Sequence, residues 1–293
     1  MRFGVIGTGY WAAQTYCPAL LGAADARLEC VWGRDPVRTD ALARRVGVDA
    51  CRSYDEMLER VNAVAFAVPP DVQAPLAVRA AAAGRHLLLE KPVATSTALA
   101  RQVEQQVDSS AVASVVFLTN RFRPERQAWL ADAVKRGGWQ GGEARWLASA
   151  LLPGSPYAES TWRQQRGGLW DVGPHALSML CGALGPVTDV SATAGRNDLT
   201  WLLLRHESGA TSSAALSLRT PEPAAHTSVT LWGATGLSAM PPEPSPAVDA
   251  LRHAVGALVQ AAETGTPHPC DAAFGRHVTE VLASADAIVA GTG

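Results

Sequence analysis

The chain has 293 residues, 47% hydrophobic and 18% charged, with a formal net charge of −2. That length holds two domains or one large one, and that balance is ordinary for a globular protein with a sizeable core. There is no basic stripe with interleaved aromatics, so nucleic acid is not an expected partner. No apolar run approaches the roughly 20 residues of a membrane span. The five cysteines (Cys17, Cys30, Cys51, Cys181 and Cys270) never form a C-x-x-C pair, which points to reduced thiols in a cytoplasm and argues against a zinc site.

Short apolar runs alternate with amphipathic ones as far as residue 118. Strands are expected at Arg2–Ile6, Arg27–Trp32, Ala63–Val68, His86–Glu90 and Ala113–Leu118. Helices are expected between them, at about Trp11–Leu21, Pro36–Val46, Asp71–Ala83 and Ser96–Val107. A strand from residue 2 leaves no room for a secretory leader. This alternation implies right-handed crossovers and a parallel, doubly wound sheet. After Asn120 the pattern changes. A helix over 124–136 precedes strands without helices between them, at Glu143–Ala150, Val187–Thr193, Trp201–His206, Ala210–Arg219 and Thr227–Trp232. Turn pairs such as Ser208-Gly209 point to an antiparallel or mixed sheet. A stiff connector, Pro241–Pro246, leads to two closing helices, Ala247–Thr264 and Ala272–Ala290. The expected domains are 1–119 and 120–293.

The first loop, Gly7-Thr8-Gly9-Tyr10-Trp11-Ala12, is a G-x-G-x-x-A that follows a strand and opens a helix. Gly7 permits the tight turn and Gly9 lets the backbone approach a pyrophosphate. Ala12 allows close helix–sheet packing, with the phosphate on the helix N-terminus. A glycine turn in another α/β protein is the competing reading. At the end of the second strand an NAD site places an acid for the ribose 2′-hydroxyl. Here Gly33 fills that position, and Arg34 follows as a planar cation suited to a 2′-phosphate and to stacking on adenine. Arg38 lies one turn into the next helix, and Asp35 before Pro36 reads as a helix cap. The pattern favours NADP(H), with NAD and plain surface arginines left as alternatives. Pro69-Pro70, Glu90-Lys91 and Asn120-Arg121 also follow predicted strands, so five unusual loops share the edge where open parallel sheets bind ligands.

Of 25 basic side chains only Lys91 and Lys135 are lysines. An arginine cannot release its proton near neutral pH, whereas a lysine can be tuned to do so. Lys91, in Glu90-Lys91-Pro92 at the end of an apolar strand, therefore suggests chemistry, against the alternative of a solvated loop lysine like Lys135. Farther on, in Gly167-Gly168-Leu169-Trp170-Asp171-Val172-Gly173-Pro174-His175, a helical spacing puts Asp171, His175 and Ser178 on one face. A carboxylate beside an imidazole suits proton transfer to or from a hydroxyl. On spacing alone a structural Asp–His pair at a helix start remains the simpler reading, and Pro174 argues against one unbroken helix. His86, His206, His226, His253, His268 and His277 show no metal-ligand spacing, so no metal is expected. The loops of Trp11 and Trp162 are expected at the crevice, unlike those of the other tryptophans.

With the glycine loop, Glu90-Lys91-Pro92 and Gly167–His175 in one chain, the sequence resembles the Gfo/Idh/MocA oxidoreductases. Asn120-Arg121-Phe122, Trp162-Arg163 and Val229–Leu237 add to the likeness. The resemblance implies an α/β fold with an N-terminal Rossmann domain and a C-terminal α/β domain carrying an open, mostly antiparallel sheet. Substrate would lie between that sheet and the nicotinamide. Lys91 would orient the reacting oxygen and share its proton, with Asp171 and His175 as the acid–base partner. Relatives resembling anhydrofructose reductase bind NADP through the segment matching Gly33-Arg34 and Arg38, with Asn120 and Trp162-Arg163 also at the cofactor. The cofactor set expected here is Gly7, Thr8, Gly9, Tyr10, Trp11, Gly33, Arg34, Arg38, Pro69, Glu90, Lys91, Asn120, Trp162 and Arg163. Two departures stand out. Ser178 replaces an acid that many members carry, and Pro241–Pro246 replaces a strand or two in a sheet used for dimer packing, the candidate surface for a homo-oligomer. The expected activity is NADP(H)-dependent interconversion of hydroxyl and ketone on a sugar, cyclitol or polyol. The rivals are an NAD-dependent glycosidase of the same fold and a non-catalytic, cofactor-bound regulator.

Overall fold

The computed structural model describes residues 1–242 and 245–291. Two compact units divide the chain: Met1–Arg123 with Ser245–Arg276, and Pro124–Pro244 with His277–Gly293.

In the first unit, β1 (Arg2–Ile6), β2 (Arg27–Trp32), β3 (Asp49–Ala50), β4 (Ala63–Phe66), β5 (His86–Glu90) and β6 (Ser114–Phe117) form one sheet in the order β3-β2-β1-β4-β5-β6. Every pairing is parallel. This is the doubly wound Rossmann order, whose winding direction reverses between β1 and β4. Both faces of the sheet are covered, so the central strands are apolar without alternation. Val5, Ile6, Val64, Phe66, Leu87, Leu88 and Leu89 are all buried. The crossovers are α1 (Cys17–Leu21), α2 (Pro36–Val46), α3 (Tyr54–Arg60), α4 (Pro70–Ala82) and α5 (Thr97–Ser109). A π-helical turn, Ala12–Tyr16, leads into α1. As expected, Asp35 caps α2, accepting from the amides of Val37 and Arg38. The pair β3 and α3 was not anticipated. β3 is two residues long and so has no period, but α3 carries a readable start signal. Ser53 caps it through the Glu56 amide, and the Glu56 carboxylate accepts from the Arg52 amide.

The second unit holds α6 (Pro124–Arg136), β7 (Trp139–Leu147), α7 (Thr161–Asp171), α8 (Gly173–Leu184), β8 (Val187–Ala194), β9 (Thr200–His206), β10 (Thr211–Ser217), β11 (His226–Gly233) and β12 (Gly236–Ala239). Its sheet runs β12-β11-β7-β10-β9-β8. Only the β7–β10 pair is parallel, so the sheet is mixed and mostly antiparallel. Helices α7 and α8 pack on one face, while Trp201, Leu203, Trp232 and Leu237 remain exposed. Three features differ from expectation. First, α7 and α8 separate β7 from β8. Second, β7 begins at Trp139 because Gly141 and Gly142, whose missing side chains make room for Trp232 and Leu231, hide the alternating pattern. Third, β12 returns antiparallel from a tight turn in which Gly233 pairs with Gly236, the latter at φ +92°. Part of the expected Pro241–Pro246 connector, at 243 and 244, lies outside the described residues.

Helix α9 (Ala247–Thr264) packs with α1 and against β5 and β6 in the first unit, and α10 (Ala272–Gly291) ends the described chain. Ahead of α10, the Cys270 carbonyl accepts from the Val116 amide and the Ser114 hydroxyl accepts from the Ala272 amide, which covers the otherwise open edge of β6. Among the described residues no helix is long and apolar enough to cross a membrane.

Candidate active site

The glycine loop joins two strand ends in the first unit: the Gly7 amide donates to the Trp32 carbonyl at 2.9 Å. Gly7 has φ +117°, and a Cβ there would stand 2.4 Å from the Ala67 carbonyl oxygen, so only glycine closes this turn. At Gly9 a Cβ would meet nothing within 4 Å, leaving the backbone open to an incoming group. A cavity of about 330 Å³ lies over this loop, lined by Gly7, Thr8, Gly9, Gly33, Arg34, Asp35, Arg38 and Pro69 among others. Seven of the expected cofactor residues therefore meet at one place. At Gly33 a Cβ would stand 2.8 Å from the Thr8 methyl group, so a side chain there would require Thr8 to shift. Arg34 and Arg38 are exposed and make no ion pair among the described residues. An open glycine amide loop and a helix start fit the diphosphate of a dinucleotide, and the two guanidiniums stand at the rim of the same cavity.

At the end of β5 the loop carrying Lys91 is held from inside. The Glu90 carboxylate accepts from Trp11 Nε1 at 2.6 Å, from the Tyr16 hydroxyl at 2.9 Å and from the Lys91 amide at 3.1 Å. Burial pushes the Glu90 carboxyl above its ordinary range, against the opposing pull of the Lys91 charge and these donors. Burial and the neighbouring Glu90 likewise raise Tyr16 well above the usual phenol range, which keeps its hydroxyl a donor. Gln73, fully buried on α4, accepts from the Glu90 amide at 2.7 Å and donates to the carbonyls of Glu90, Pro92 and Val93. Neither Gln73 nor Tyr16 stood out in the sequence. A signal existed for Gln73, the polar member of a buried stripe of Pro70, Ala74, Ala77, Ala80 and Ala81. The Lys91–Pro92 peptide bond is cis. Asn120 is buried in a 3₁₀ turn after β6, and Tyr10 is exposed beside the glycine loop.

In the second unit residues 171–178 do not lie on one unbroken helix, in line with Pro174. Gly167, at φ +63° and ψ −165°, kinks α7, which ends at Asp171, and α8 starts at Gly173 with Pro174 in its first turn. Asp171 is buried, and its carboxylate accepts from Arg163 Nε at 2.9 Å. The Arg163 guanidinium also lies over the Tyr157 ring at 4.4 Å and near the Trp162 ring at 5.7 Å. His175 stacks on Trp146 of β7, with ring centroids 6.2 Å apart and planes 18° from parallel. Ser178, fully buried, donates its hydroxyl to the His175 carbonyl, so it belongs to the frame of α8. Asp198, missed in the sequence, fixes this segment. Its carboxylate accepts from the amides of Gly168, Leu218 and Arg219 and from the Ser217 hydroxyl. It does so from a turn in which Asn197 and Asp198 both adopt positive φ, 53° and 61°. Asn-Asp between two strands is a legible turn signal, but the distant partners of the carboxylate are not.

The family model described as the oxidoreductase family with an NAD-binding Rossmann fold matches residues 1–117, and the GFO/IDH/MocA C-terminal domain model matches residues 140–237. The chain belongs to the Gfo/Idh/MocA oxidoreductase family. It is similar to dTDP-3,4-didehydro-2,6-dideoxy-alpha-D-glucose 3-reductase of Streptomyces antibioticus, with 28% identity over 64% of this chain and 57% of that protein. It is similar also to inositol 2-dehydrogenase of Rhizobium meliloti, with 31% identity over 44% of this chain and 39% of that one. The chain thus spans less than two thirds of these curated relatives. A crystal structure of a putative myo-inositol dehydrogenase from Sinorhizobium meliloti shares the fold, with a TM-score of 0.85 and 21% identity over 100% of this chain and 98% of that one.

Two predictions concern the supports of this family's site. Because burial raises the Glu90 pKa, its charged form opposes folding. That effect is absent while the carboxyl is protonated folded and unfolded, and grows as pH rises from the ordinary carboxylate value of about 4.3 through the raised one. Glu90→Gln lacks it, so the stability difference, variant minus wild type, moves in the variant's favour over that window. Urea midpoints at about pH 4 and about pH 8 measure it; a difference independent of pH would contradict the raised pKa. Asp198→Ala leaves several amides without an acceptor and is expected to cost about 1–3 kcal/mol in the same measurement, whereas an unchanged midpoint would deny the clamp.

Proposed function

We propose that the chain is an NADP(H)-dependent oxidoreductase that interconverts a hydroxyl and a ketone on a sugar, cyclitol or related polyol. The observation that carries the cofactor reading is the rim of the glycine-loop cavity. Gly33 puts no acid at the strand end, and Arg34 and Arg38 offer two cations without an ion pair among the described residues where a 2′-phosphate would lie. Asp35 shares that rim, but its Oδ1 is engaged by the first amides of α2. The names of the similar reductase and dehydrogenase, one acting on a nucleotide-linked dideoxy sugar and one on inositol, support the substrate class. A bound nicotinamide dinucleotide supplies or accepts the hydride. Thr8, Gly9, Pro69 and Asn120 would join the arginines in holding it, Tyr10 and, by the family resemblance, Trp162 would contribute to the same site, and Glu90 would act by fixing Trp11 and the Lys91 backbone.

The chain's own chemistry is then the fate of one hydroxyl proton. Lys91 orients the reacting oxygen and exchanges its proton, with the loop backbone held by Gln73 and Glu90 so that the ammonium has a defined origin. His175, its ring near-parallel to that of Trp146, serves as the acid–base partner, and Asp171, anchored by Arg163, completes the set.

Titration of the protein with NADPH and with NADH, following energy transfer from tryptophan to nicotinamide, is expected to show NADPH at least tenfold tighter. Arg34→Glu with Arg38→Glu should abolish that preference; equal affinities in the wild type would overturn the cofactor assignment. In a screen of keto sugars and polyols that follows nicotinamide absorbance, Lys91→Met and His175→Ala are each expected to lose about 10²-fold or more in turnover on any substrate found. Wild-type turnover in either variant would remove that residue from the chemistry.

A further inference from the structure

The Glu90 carboxylate is held at both of its oxygens, and the two ends are not alike. Oε1 takes two donors, Trp11 Nε1 at 2.6 Å and the Tyr16 hydroxyl at 2.9 Å, whereas Oε2 takes the Lys91 amide at 3.1 Å. Trp11 and Tyr16 are five residues apart, on the turn that opens the helix after the glycine loop. In an α-helix, side chains five apart point about 140° away from one another. Here the Cys17 amide donates to the Ala12 carbonyl, a π-helical bond, and the wider turn brings both donors to one oxygen. The helix that follows the glycine loop and the loop that carries Lys91 thereby share one carboxylate.

The asymmetry decides where a proton can sit. An ionised carboxylate accepts at both oxygens, but a neutral one keeps a carbonyl oxygen and turns the other into a donor. Two donors aimed at Oε1 hold it as the carbonyl, so a proton entering the group goes to Oε2. There it meets the Lys91 amide, donor against donor, and that bond is lost. Gln73 bonds the residues on either side of Lys91 and not Lys91 itself, which leaves the Lys91 amide to Oε2.

The other elements around Glu90 bring no charge to it. Helix α4 faces it with the neutral Gln73 and β6 with Phe117, its partner in register. The buried residues of α9, which packs on β5, are all apolar. The titratable groups beside Glu90 are Lys91 and Tyr16, and Tyr16 stays protonated because burial and Glu90 raise it well above the phenol range.

We propose that Tyr16 and Trp11 are positioning residues of the proposed reaction that act through Glu90: by filling Oε1 they make Oε2 a proton-operated latch, closed on the Lys91 amide when the carboxylate is ionised and open when it is not. The latch rests on the reading of Lys91 as the residue that exchanges the hydroxyl proton, and it makes that exchange depend on a second, buried ionisation.

Lysine-selective ¹⁵N labelling of the full chain reads the contact directly. Two lysines give two labelled amides, and Lys135→Arg removes one of them to assign the other. The Lys91 amide proton is expected to move upfield as pH falls, through a midpoint above the ordinary carboxylate value of about 4.3. Glu90→Gln should remove that movement. Tyr16→Phe keeps the buried ring, edge-on to Phe117, and deletes only the donor. Losing a donor disfavours the charged form, so the midpoint in Tyr16→Phe is expected at higher pH than in the wild type. Trp11→Phe, at a half-buried position, is expected to move it the same way and carries the test if Tyr16→Phe does not fold. A merely structural tyrosine would lower the melting temperature and leave the midpoint in place. On any substrate found, Tyr16→Phe should lose about tenfold or more in turnover at unchanged NADPH affinity. A Lys91 signal indifferent to pH, or a midpoint that neither variant moves, overturns the proposal. Wild-type turnover in Lys91→Met would overturn the reading beneath it, and the amide signal reports the Glu90 contact separately from that outcome.

Discussion

A parallel sheet covered by helices on both faces can offer side chains to a ligand only where its strands end. The first unit is governed by that constraint. Its central strands are mostly apolar, and Gly7, Gly9, Gly33, Arg34 and Lys91 all lie in the loops that follow them. The difficulty such a design creates is that strand-end loops are the least constrained part of a fold. Here the loop after β5 is held by buried polar groups, each a donor or acceptor matched to its partner. Three donors face the Glu90 carboxylate, and the raised pKa of Tyr16 keeps one of them protonated. Buried polar networks stabilise only when every member is satisfied, and this one meets that condition with groups from α4, the first helix and β5.

The second unit solves the same problem with backbone geometry. The Gly167 kink and the break at Val172 set the directions of α7 and α8, and a kink of this kind is stable only if something outside the helices holds it. Asp198 does so from the turn between β8 and β9, 30 residues farther along the chain, where its carboxylate accepts from the Gly168 amide. Two consecutive non-glycine residues at positive φ cost free energy, of order 1–3 kcal/mol each at worst. The hydrogen bonds to the Asp198 carboxylate are the evident compensation.

Most of the architecture was legible in the residues because it rests on local signals. The period of apolar runs located β1, β2, β5, α2, α6 and α9 to within a residue, and the glycine loop, Asp35 and the Ser208-Gly209 turn mark their junctions as the structure has them. What escaped was of two kinds. Elements too short to show a period, such as β3 and β12, or masked by glycine, such as the start of β7, leave no repeating signature. Residues whose partners are distant in sequence, such as Gln73 with Glu90–Val93 and Asp198 with Gly168, show their role only once the chain is folded. Glu90 illustrates the limit. Its place beside Lys91 drew notice from sequence, but its partners Trp11 and Tyr16 lie more than seventy residues earlier.

The choice of an amide at position 73 follows from the same chemistry. Its four contacts demand one acceptor for the Glu90 amide and two N–H donors shared among three carbonyls. A carboxylate could not donate, and an ammonium could not accept; a neutral imidazole offers one donor and one acceptor, but from opposite edges of a ring. Glutamine does both from one planar group without adding charge next to a carboxylate whose burial already disfavours ionisation. Gln73 thus adds no charge beside Glu90 and Lys91, adjacent in sequence and opposite in sign.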